Sequence, residues 1–144
     1  QRQLTPRLRP GVVVLPMHHP IHVAHQAMSL DFVSNGRAIL AVGLGSERDY
    51  HDFQVPVQRR VRRFKEQIEL MKALWTQQRV NYAGAFYTLN DVAITLKSAS
   101  KPHVPLWLGG THPNAIARAV RNVGMNLVDR LPVLKNRLIR QAMG

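Results

Sequence analysis

The chain of 144 residues has the length of one domain, and 45% of its residues are hydrophobic, which is enough for a packed core. Cysteine is absent, so the composition excludes disulfides, thiolate metal sites and cysteine nucleophiles. The formal net charge of +12 favours phosphate-bearing partners, whether nucleic acid, a nucleotide cofactor or acidic lipid, without choosing among them.

Membrane and export signals are not found in the sequence. No stretch approaches the roughly 20 uninterrupted apolar residues of a membrane-spanning helix. The basic residues 1–10 are not followed by an apolar region that ends in a small-residue cleavage site. We therefore expect a cytoplasmic protein without membrane contact.

Two buried strands and a helix are predicted in the first third of the chain. Residues 11–15 form a continuous β-branched and aliphatic run, typical of a strand buried on both faces, and Pro16 ends it. Pro20 suits the first turn of the helix, and Gly36 suits its left-handed C-terminal position. Residues 37–43 form the second buried run, which ends in glycine.

A long helix follows a loop over residues 44–55, and Pro56 is expected to open it. Its apolar residues recur at steps of three and four, and this predicted buried stripe comprises Val61, Phe64, Ile68, Met71, Leu74 and Trp75. The other face carries charged residues, namely Arg59, Arg60, Arg62, Arg63, Lys65, Glu66, Glu69 and Lys72. We interpret that face as solvated, and a nucleic-acid or partner surface is the alternative.

The remaining elements continue the alternation of strands and helices. Short alternating segments in residues 80–96 predict a small antiparallel excursion. After a linker-like stretch, a strand begins at Leu106 and ends at Gly109 and Gly110; Thr111 then caps a helix that ends at Gly124. A short strand over residues 125–128 and a basic amphipathic helix over residues 132–143 complete the chain. This order predicts parallel βαβ units, either a small open sheet or half of a closed barrel.

Three segments, in this order and spacing, resemble the luciferase-like monooxygenase family. The first comprises the strand and His-Pro turn of residues 12–20, the pattern Leu30-Asp31-x-x-Ser34-x-Gly36-Arg37, and Val42-Gly43-Leu44-Gly45. The second comprises Arg63-Phe64, Glu66, Glu69, Leu74-Trp75-Thr76, Tyr82, Gly84, Phe86-Tyr87 and Leu89. The third comprises residues 105–111 with Pro113, Ala115 and Arg118.

The resemblance covers residues 8–128 and leaves residues 129–144 as a divergent basic tail. It implies that residues 1–144 form a single incomplete domain of the α/β class, a partial (β/α)8 TIM barrel. We expect about four parallel strands with flanking helices and a small antiparallel excursion. Because family members are usually much longer, the first barrel strands and the last two are expected to be missing.

What the resemblance implies for function is an oxidoreductase with a cofactor at the C-terminal ends of its strands. The cofactor would be reduced FMN or the deazaflavin coenzyme F420, used for monooxygenation or hydride transfer on a small organic substrate. A fragment of such a barrel need not be active by itself. The alternative is a non-catalytic basic protein that binds nucleic acid or another polyanion.

The candidate site residues lie at the predicted strand ends. Those that would bind the cofactor are Gly43, Gly45, Asp49, Leu108, Gly109, Gly110 and Thr111. Glycines let the backbone approach a ring or phosphate closely, and Thr111 with the following helix offers an anion site. His18 and His19 are the candidate catalytic acids or bases. Their alternative roles are a turn residue and a helix cap.

Other features bear on metals, substrates and assembly. His22 and His25 lie one turn apart without nearby carboxylate or cysteine ligands, so no metal site is predicted. Many family members carry a bulky residue where this chain has Ser46, and a Gly-Asp-Gly-Trp-like segment where it has residues 123–126. The substrate therefore stays open. Exposed edges of a partial parallel sheet predict a homo-oligomer.

Overall fold

The computed structural model describes residues 7–9 and 11–109. The chain divides into two units, Gln1–Gly109 and Gly110–Gly144, and the described residues all belong to the first. The predictions for Gly110, Thr111 and the strand and helices beyond them lie outside the described residues. The prediction of a single domain stays a prediction.

A three-stranded parallel sheet is the centre of the first unit, with the strand order β1-β2-β5. Its strands are β1 (Val13–Val14), β2 (Leu40–Gly43) and β5 (Leu106–Gly109). A separate antiparallel pair consists of β3 (Val80–Ala83) and β4 (Thr88–Val92). The predicted combination of parallel βαβ units with a small antiparallel excursion is therefore confirmed for this unit.

Three helices connect these strands: α1 (Pro20–Val33), α2 (Glu47–Asp52) and α3 (Arg60–Thr76). Pro20 occupies the first turn of α1, where its missing N–H would in any case have no partner within the helix. At the other end, Asn35 and Gly36 adopt φ values of 52° and 77°, and the Gly36 N–H donates to the Asp31 carbonyl. The prediction that Gly36 ends this helix in a left-handed conformation is confirmed.

Several predicted boundaries are wrong. Leu15 belongs to a 3-10 turn, Leu15–Met17, because the backbone turns at Pro16 instead of extending the strand. Helix α3 begins at Arg60 rather than at Pro56, since Arg59 adopts a left-handed φ of 57° that cannot continue a helix. Val61, on the first turn of α3, is 43% exposed and is not part of the buried stripe.

The hydrophobic core lies between one face of the sheet and helices α1 and α3. Leu40, Val42 and Leu106 supply the sheet side, while α3 contributes Phe64, Ile68, Leu70, Met71, Leu74 and Trp75. The Trp75 indole Nε1 donates to the Ala24 carbonyl at 3.1 Å, which joins α3 to α1. Within the described ranges, no helix combines the length and the apolar character needed to cross a membrane.

Asp31 is a fully buried carboxylate that joins the end of α1 to the segment before β5. It accepts hydrogen bonds from the Ser98 hydroxyl at 2.6 Å, the Ser100 N–H at 2.8 Å and the Ser100 hydroxyl at 2.8 Å. Burial alone would raise the pKa of Asp31, but these hydrogen bonds outweigh it and lower the pKa below its ordinary value. The carboxylate is therefore charged and stabilises the link between the two segments.

We expect the Asp31→Asn substitution to lower the free energy of unfolding by about 2 kcal/mol at neutral pH, because an amide cannot accept all three hydrogen bonds. The pKa of Asp31 is lowered in the folded state, so its contribution is complete above the unfolded-state pKa of about 3.9 and disappears as pH falls through the folded-state value. Urea unfolding at pH 7 and pH 3 checks this. The difference between wild type and variant should shrink at pH 3.

The same substitution at Asp52, an exposed residue that pairs with Arg48, is the control and should change stability by less than about 0.5 kcal/mol. A difference for Asp31→Asn that is equally large at both pH values would contradict the assignment of the stabilisation to the carboxylate.

Candidate functional site

The carboxyl ends of the three parallel strands lie at the same edge of the sheet, which we call the rim. Val14 of β1 is in register with Gly43 of β2, and Gly43 is in register with Gly109 of β5. The segments that leave these strands therefore begin side by side. The predicted common edge is present for β1, β2 and β5, while Gly110 and Thr111 lie outside the described residues.

Gly43 and Gly109 make room for the side chain of Val12. A Cβ atom on Gly43 would lie 2.7 Å from Val12 Cγ1, and one on Gly109 would lie 2.7 Å from Val12 Cγ2. Val12 therefore covers the two glycines. Because it is also 57% exposed, it presents an apolar surface to solvent. Sequence reasoning did not identify Val12, because its contact with Gly109 spans three strands and leaves no local pattern.

Gly45 turns the chain where it leaves β2. Its φ of 80° lies in the left-handed region, and a Cβ atom there would lie 2.5 Å from Val14 Cγ1 and 3.3 Å from Asp49 Oδ2. Glycine is therefore required both by the backbone conformation and by the neighbouring strand. The exits of β1 and β2 are in contact at this point.

Asp49, predicted to bind the cofactor, takes part in a capping box at the start of α2. Its Oδ2 accepts hydrogen bonds from the Ser46 N–H at 2.6 Å and the Ser46 hydroxyl at 2.8 Å, while the Ser46 hydroxyl accepts from the Asp49 N–H at 3.4 Å. The backbone hydrogen bond, followed by the hydroxyl, lowers the pKa of Asp49. The spacing Ser-x-x-Asp is the sequence signal that would have predicted α2.

Tyr50 holds the segment between β2 and α2. Its side chain is buried, and its hydroxyl donates to the Leu44 carbonyl at 2.8 Å. Burial raises the pKa of Tyr50 to about 12, although Arg60 and Arg63 nearby oppose the rise. The hydroxyl therefore stays protonated near neutral pH and continues to donate this hydrogen bond.

His18 and His19 follow the 3-10 turn after β1. His19 is the N-cap of α1: its Nδ1 accepts from the Ile21 N–H at 3.4 Å. The His19 ring also packs edge-on against Tyr87, with 5.5 Å between the ring centroids. Its geometry matches the helix cap considered from the sequence, whereas His18 is exposed at the rim.

Leu108 and Trp107 point to opposite faces of β5, as neighbouring residues of a strand do. Leu108, predicted to contact the cofactor, packs against the hydrophobic core. Trp107 shares the other face with Gly109, and the Arg9 guanidinium lies 4.7 Å above its ring centroid. The face of the sheet that bears Val12 thus also carries an aromatic side chain and a cation.

A cavity of about 410 Å³ is lined by β1, α1, Leu40 of β2 and the segments that follow β1 and β2. Its walls are mainly apolar and come from β1 and α1, including Val13, Val23 and Ala27. At the rim it is bounded by Met17, His18, Asp49 and Phe53, while Gln26 lies along α1. Two predicted site residues, His18 and Asp49, therefore share one cavity.

The basic face of α3 is partly used inside the protein. Arg63 donates to the Pro56 carbonyl at 2.8 Å and its guanidinium lies 4.8 Å from the Phe86 ring centroid. The Arg60 guanidinium lies 5.9 Å from the Tyr50 ring centroid. Arginines that were interpreted as solvated therefore also hold neighbouring segments in place.

The described part of the rim offers an apolar surface to a flat ring system. The Val12 side chain packs on Gly43 and Gly109 and forms an apolar ledge, and part of this ledge is exposed to solvent. Histidines and carboxylates do not form a metal-like cluster of three or more in residues 7–9 and 11–109. The predicted anion site at Gly110 and Thr111 stays a prediction.

The chain is similar in sequence and in fold to known proteins. A family model described as luciferase-like monooxygenase matches residues 4–130. The oxygenase component of the flavin-dependent trigonelline monooxygenase of Acinetobacter baylyi is 29% identical over 119 residues, which are 81% of this chain and 33% of that protein. The F420-dependent glucose-6-phosphate dehydrogenase of Amycolatopsis mediterranei is 34% identical over 101 residues, 62% of this chain and 29% of that protein.

Among solved structures, monooxygenase RslO1 from Streptomyces bottropensis superposes with a TM-score of 0.70 at 24% identity. The superposition covers 81% of this chain and 36% of that one. This likeness confirms the α/β fold of a partial TIM barrel. The chain spans about a third of the length of the relatives that it matches.

We expect the Gly45→Ala substitution to lower the free energy of unfolding by about 1–3 kcal/mol, since an added Cβ would meet Val14 in a strained backbone conformation. Gly11→Ala is the matched control: no atom lies within 4 Å of its added Cβ, and its φ is outside the left-handed region. Chemical unfolding should leave the control within about 0.5 kcal/mol of wild type. Equal effects at the two positions would show that Gly45 is not required.

Proposed function

Because the chain belongs to the luciferase-like monooxygenase family, we propose that it is part of an oxidoreductase that acts on a small organic substrate with reduced FMN or coenzyme F420. The observation that carries this proposal is the meeting of three strand ends at one rim, where an apolar ledge is exposed. The two cofactor classes are those in the names of the relatives, one flavin-dependent and one F420-dependent.

Val12 is the described residue whose exposed side chain would contact the ring system, and Gly43 and Gly109 make room for that side chain. Gly110 and Thr111 are proposed for the ribityl chain or phosphate, on the basis of the sequence alone. Such a group, when bound, supplies reducing equivalents for monooxygenation or for hydride transfer. Gly45 and the Tyr50 hydroxyl keep the segment after β2 in place at the rim.

His18 is the residue that we propose for proton transfer at this rim. Its imidazole is exposed and borders the cavity that also reaches Asp49. His19 is a weaker candidate because its Nδ1 already accepts a hydrogen bond from the backbone. A cytoplasmic location accompanies the proposal as an inference from the sequence, and the matched relatives lend no support to the nucleic-acid alternative.

Titration with FMN and with coenzyme F420 tests the proposal. We expect saturable fluorescence changes with one of the two, and loss of the change in the Gly110→Leu variant, because the proposal requires a residue without a side chain at this position. Gly11→Leu, at an open position, should bind like wild type. If neither cofactor binds saturably, the catalytic proposal fails for this chain.

A polyanion titration separates the alternative function. Three results together would favour nucleic-acid binding. The affinity for the polyanion would fall steeply with added salt, would be lost when Arg59 and Arg62 are replaced by glutamate, and would be retained in Gly110→Leu. Saturable cofactor binding that is lost in Gly110→Leu would favour the oxidoreductase.

We further propose that two copies of the chain associate through the open side of β1. Among the described strands β1 lies at an edge of the sheet, its residues line the apolar cavity, and the adjacent Val12 is largely exposed. An unpaired strand edge with apolar walls gains stability when another strand covers it.

Light scattering at micromolar concentration should therefore detect an oligomer, which Gln26→Lys should dissociate by placing a charge on the cavity wall. His25→Lys is the control, since His25 is exposed on the same helix and does not line the cavity. A wild-type protein that is monomeric under these conditions would contradict the proposal.

A further inference from the structure

Glu66 and Gln67 are consecutive polar residues that are both buried on α3. Glu66 is 6% exposed and Gln67 is 0% exposed, although neither belongs to the apolar stripe of this helix. The interpretation of Glu66 as part of the solvated face is therefore wrong. Burying an amide and a carboxylate costs free energy unless their hydrogen-bonding groups find partners. Both side chains find those partners in segments at or near the rim.

Gln67 holds the turn that follows β1. Its Nε2 donates to the Leu15 carbonyl at 3.1 Å and to the His18 carbonyl at 2.9 Å. These contacts use both amide hydrogens and fix the orientation of the group, because the opposite orientation would place Oε1 against two carbonyl oxygens. The two carbonyls lie at the start of the 3-10 turn and just after it, so one side chain fixes both ends of the turn.

Glu66 holds the turn between β3 and β4. Its carboxylate accepts from the backbone N–H groups of Ala85 at 3.0 Å, Phe86 at 2.9 Å and Tyr87 at 2.9 Å. Gly84 makes this approach possible, since a Cβ atom there would collide with the Glu66 carboxylate. The Tyr87 ring that this turn presents is the one that packs against His19.

We propose that Gln67 is a positioning residue for His18 and His19: through the Leu15 and His18 carbonyls it keeps the segment after β1 in one orientation at the rim. Glu66 provides the second support by holding Tyr87 against His19. Gln67 itself makes no contact with substrate or cofactor in this proposal. The inference rests on the proposed function only in taking the rim as the binding place.

The unpaired oxygen of Gln67 is a cost that the contacts of its amide group have to offset. Gln67 Oε1 is buried and has no hydrogen-bond partner in the described part of the chain. A buried unpaired acceptor is unfavourable, and an apolar side chain of the same size would avoid it. The two donated hydrogen bonds to the turn are what such an apolar residue would lose.

The test compares Gln67→Met, which keeps the volume and removes both donors, with Trp75→Phe. The control removes a different buried hydrogen bond from α3, the one to the Ala24 carbonyl in the neighbouring helix. We expect the imidazole 1H–13C NMR resonances of His18 and His19 to shift or split in Gln67→Met and to keep their wild-type positions in Trp75→Phe. Lower stability in both variants with unchanged imidazole resonances in both would overturn the proposal.

A second variant and a second measurement complete the design. Should Gln67→Met fail to fold, Gln67→Asn decides, because its shorter amide cannot reach both carbonyls; unchanged imidazole resonances in that variant overturn the proposal. If wild type binds FMN or coenzyme F420, Kd should rise several-fold in the Gln67 variant and stay unchanged in Trp75→Phe. If wild type binds neither, the proposed function fails while the NMR comparison still decides the role of Gln67.

Discussion

The close approach of Val12 to Gly43 and Gly109 is the contact on which the arrangement of the rim depends. One isopropyl group lies over two glycines in neighbouring strands, and each glycine is the last residue of its strand. A slip of one residue in either strand would place a side chain where Val12 packs. The register and the shape of the exposed ledge therefore follow from the same three residues.

Helix α3 connects this sheet edge to the rest of the unit through single, directional contacts. Trp75 joins it to α1, Gln67 joins it to the segment after β1, and Glu66 joins it to the turn before β4. The apolar stripe supplies burial, which has no direction, whereas these polar groups determine where each neighbouring segment lies. Side chains of α3 thus hold the segments of the proposed site in place, although α3 itself does not lie at the strand ends.

The parts of the fold that follow local rules could be predicted from the sequence. Buried β-branched runs indicated β1 and β2, and Gly36 ended α1 as its conformation requires. Helix α2 was missed although Ser46 and Asp49 carry a capping-box signal. The start of α3 was placed at Pro56 because proline suits a first turn, whereas the left-handed Arg59 delays it.

The sequence predicted where the candidate site lies, but not the contacts between its residues. Glycines at strand ends indicated the rim, but the neighbours that require those glycines, such as Val12 and Val14, depend on register between strands. The role of Gln67 rests on contacts with residues about fifty positions earlier, which no spacing rule along one helix can anticipate.

The packing of Val12 also constrains how this protein can evolve. A larger residue at position 43 or 109 requires a smaller one at position 12, because an added Cβ at either glycine would meet the Val12 side chain. The effects of mutations at these positions are therefore coupled rather than additive. A change in the shape of the ledge at either glycine is therefore expected to require a second substitution at Val12.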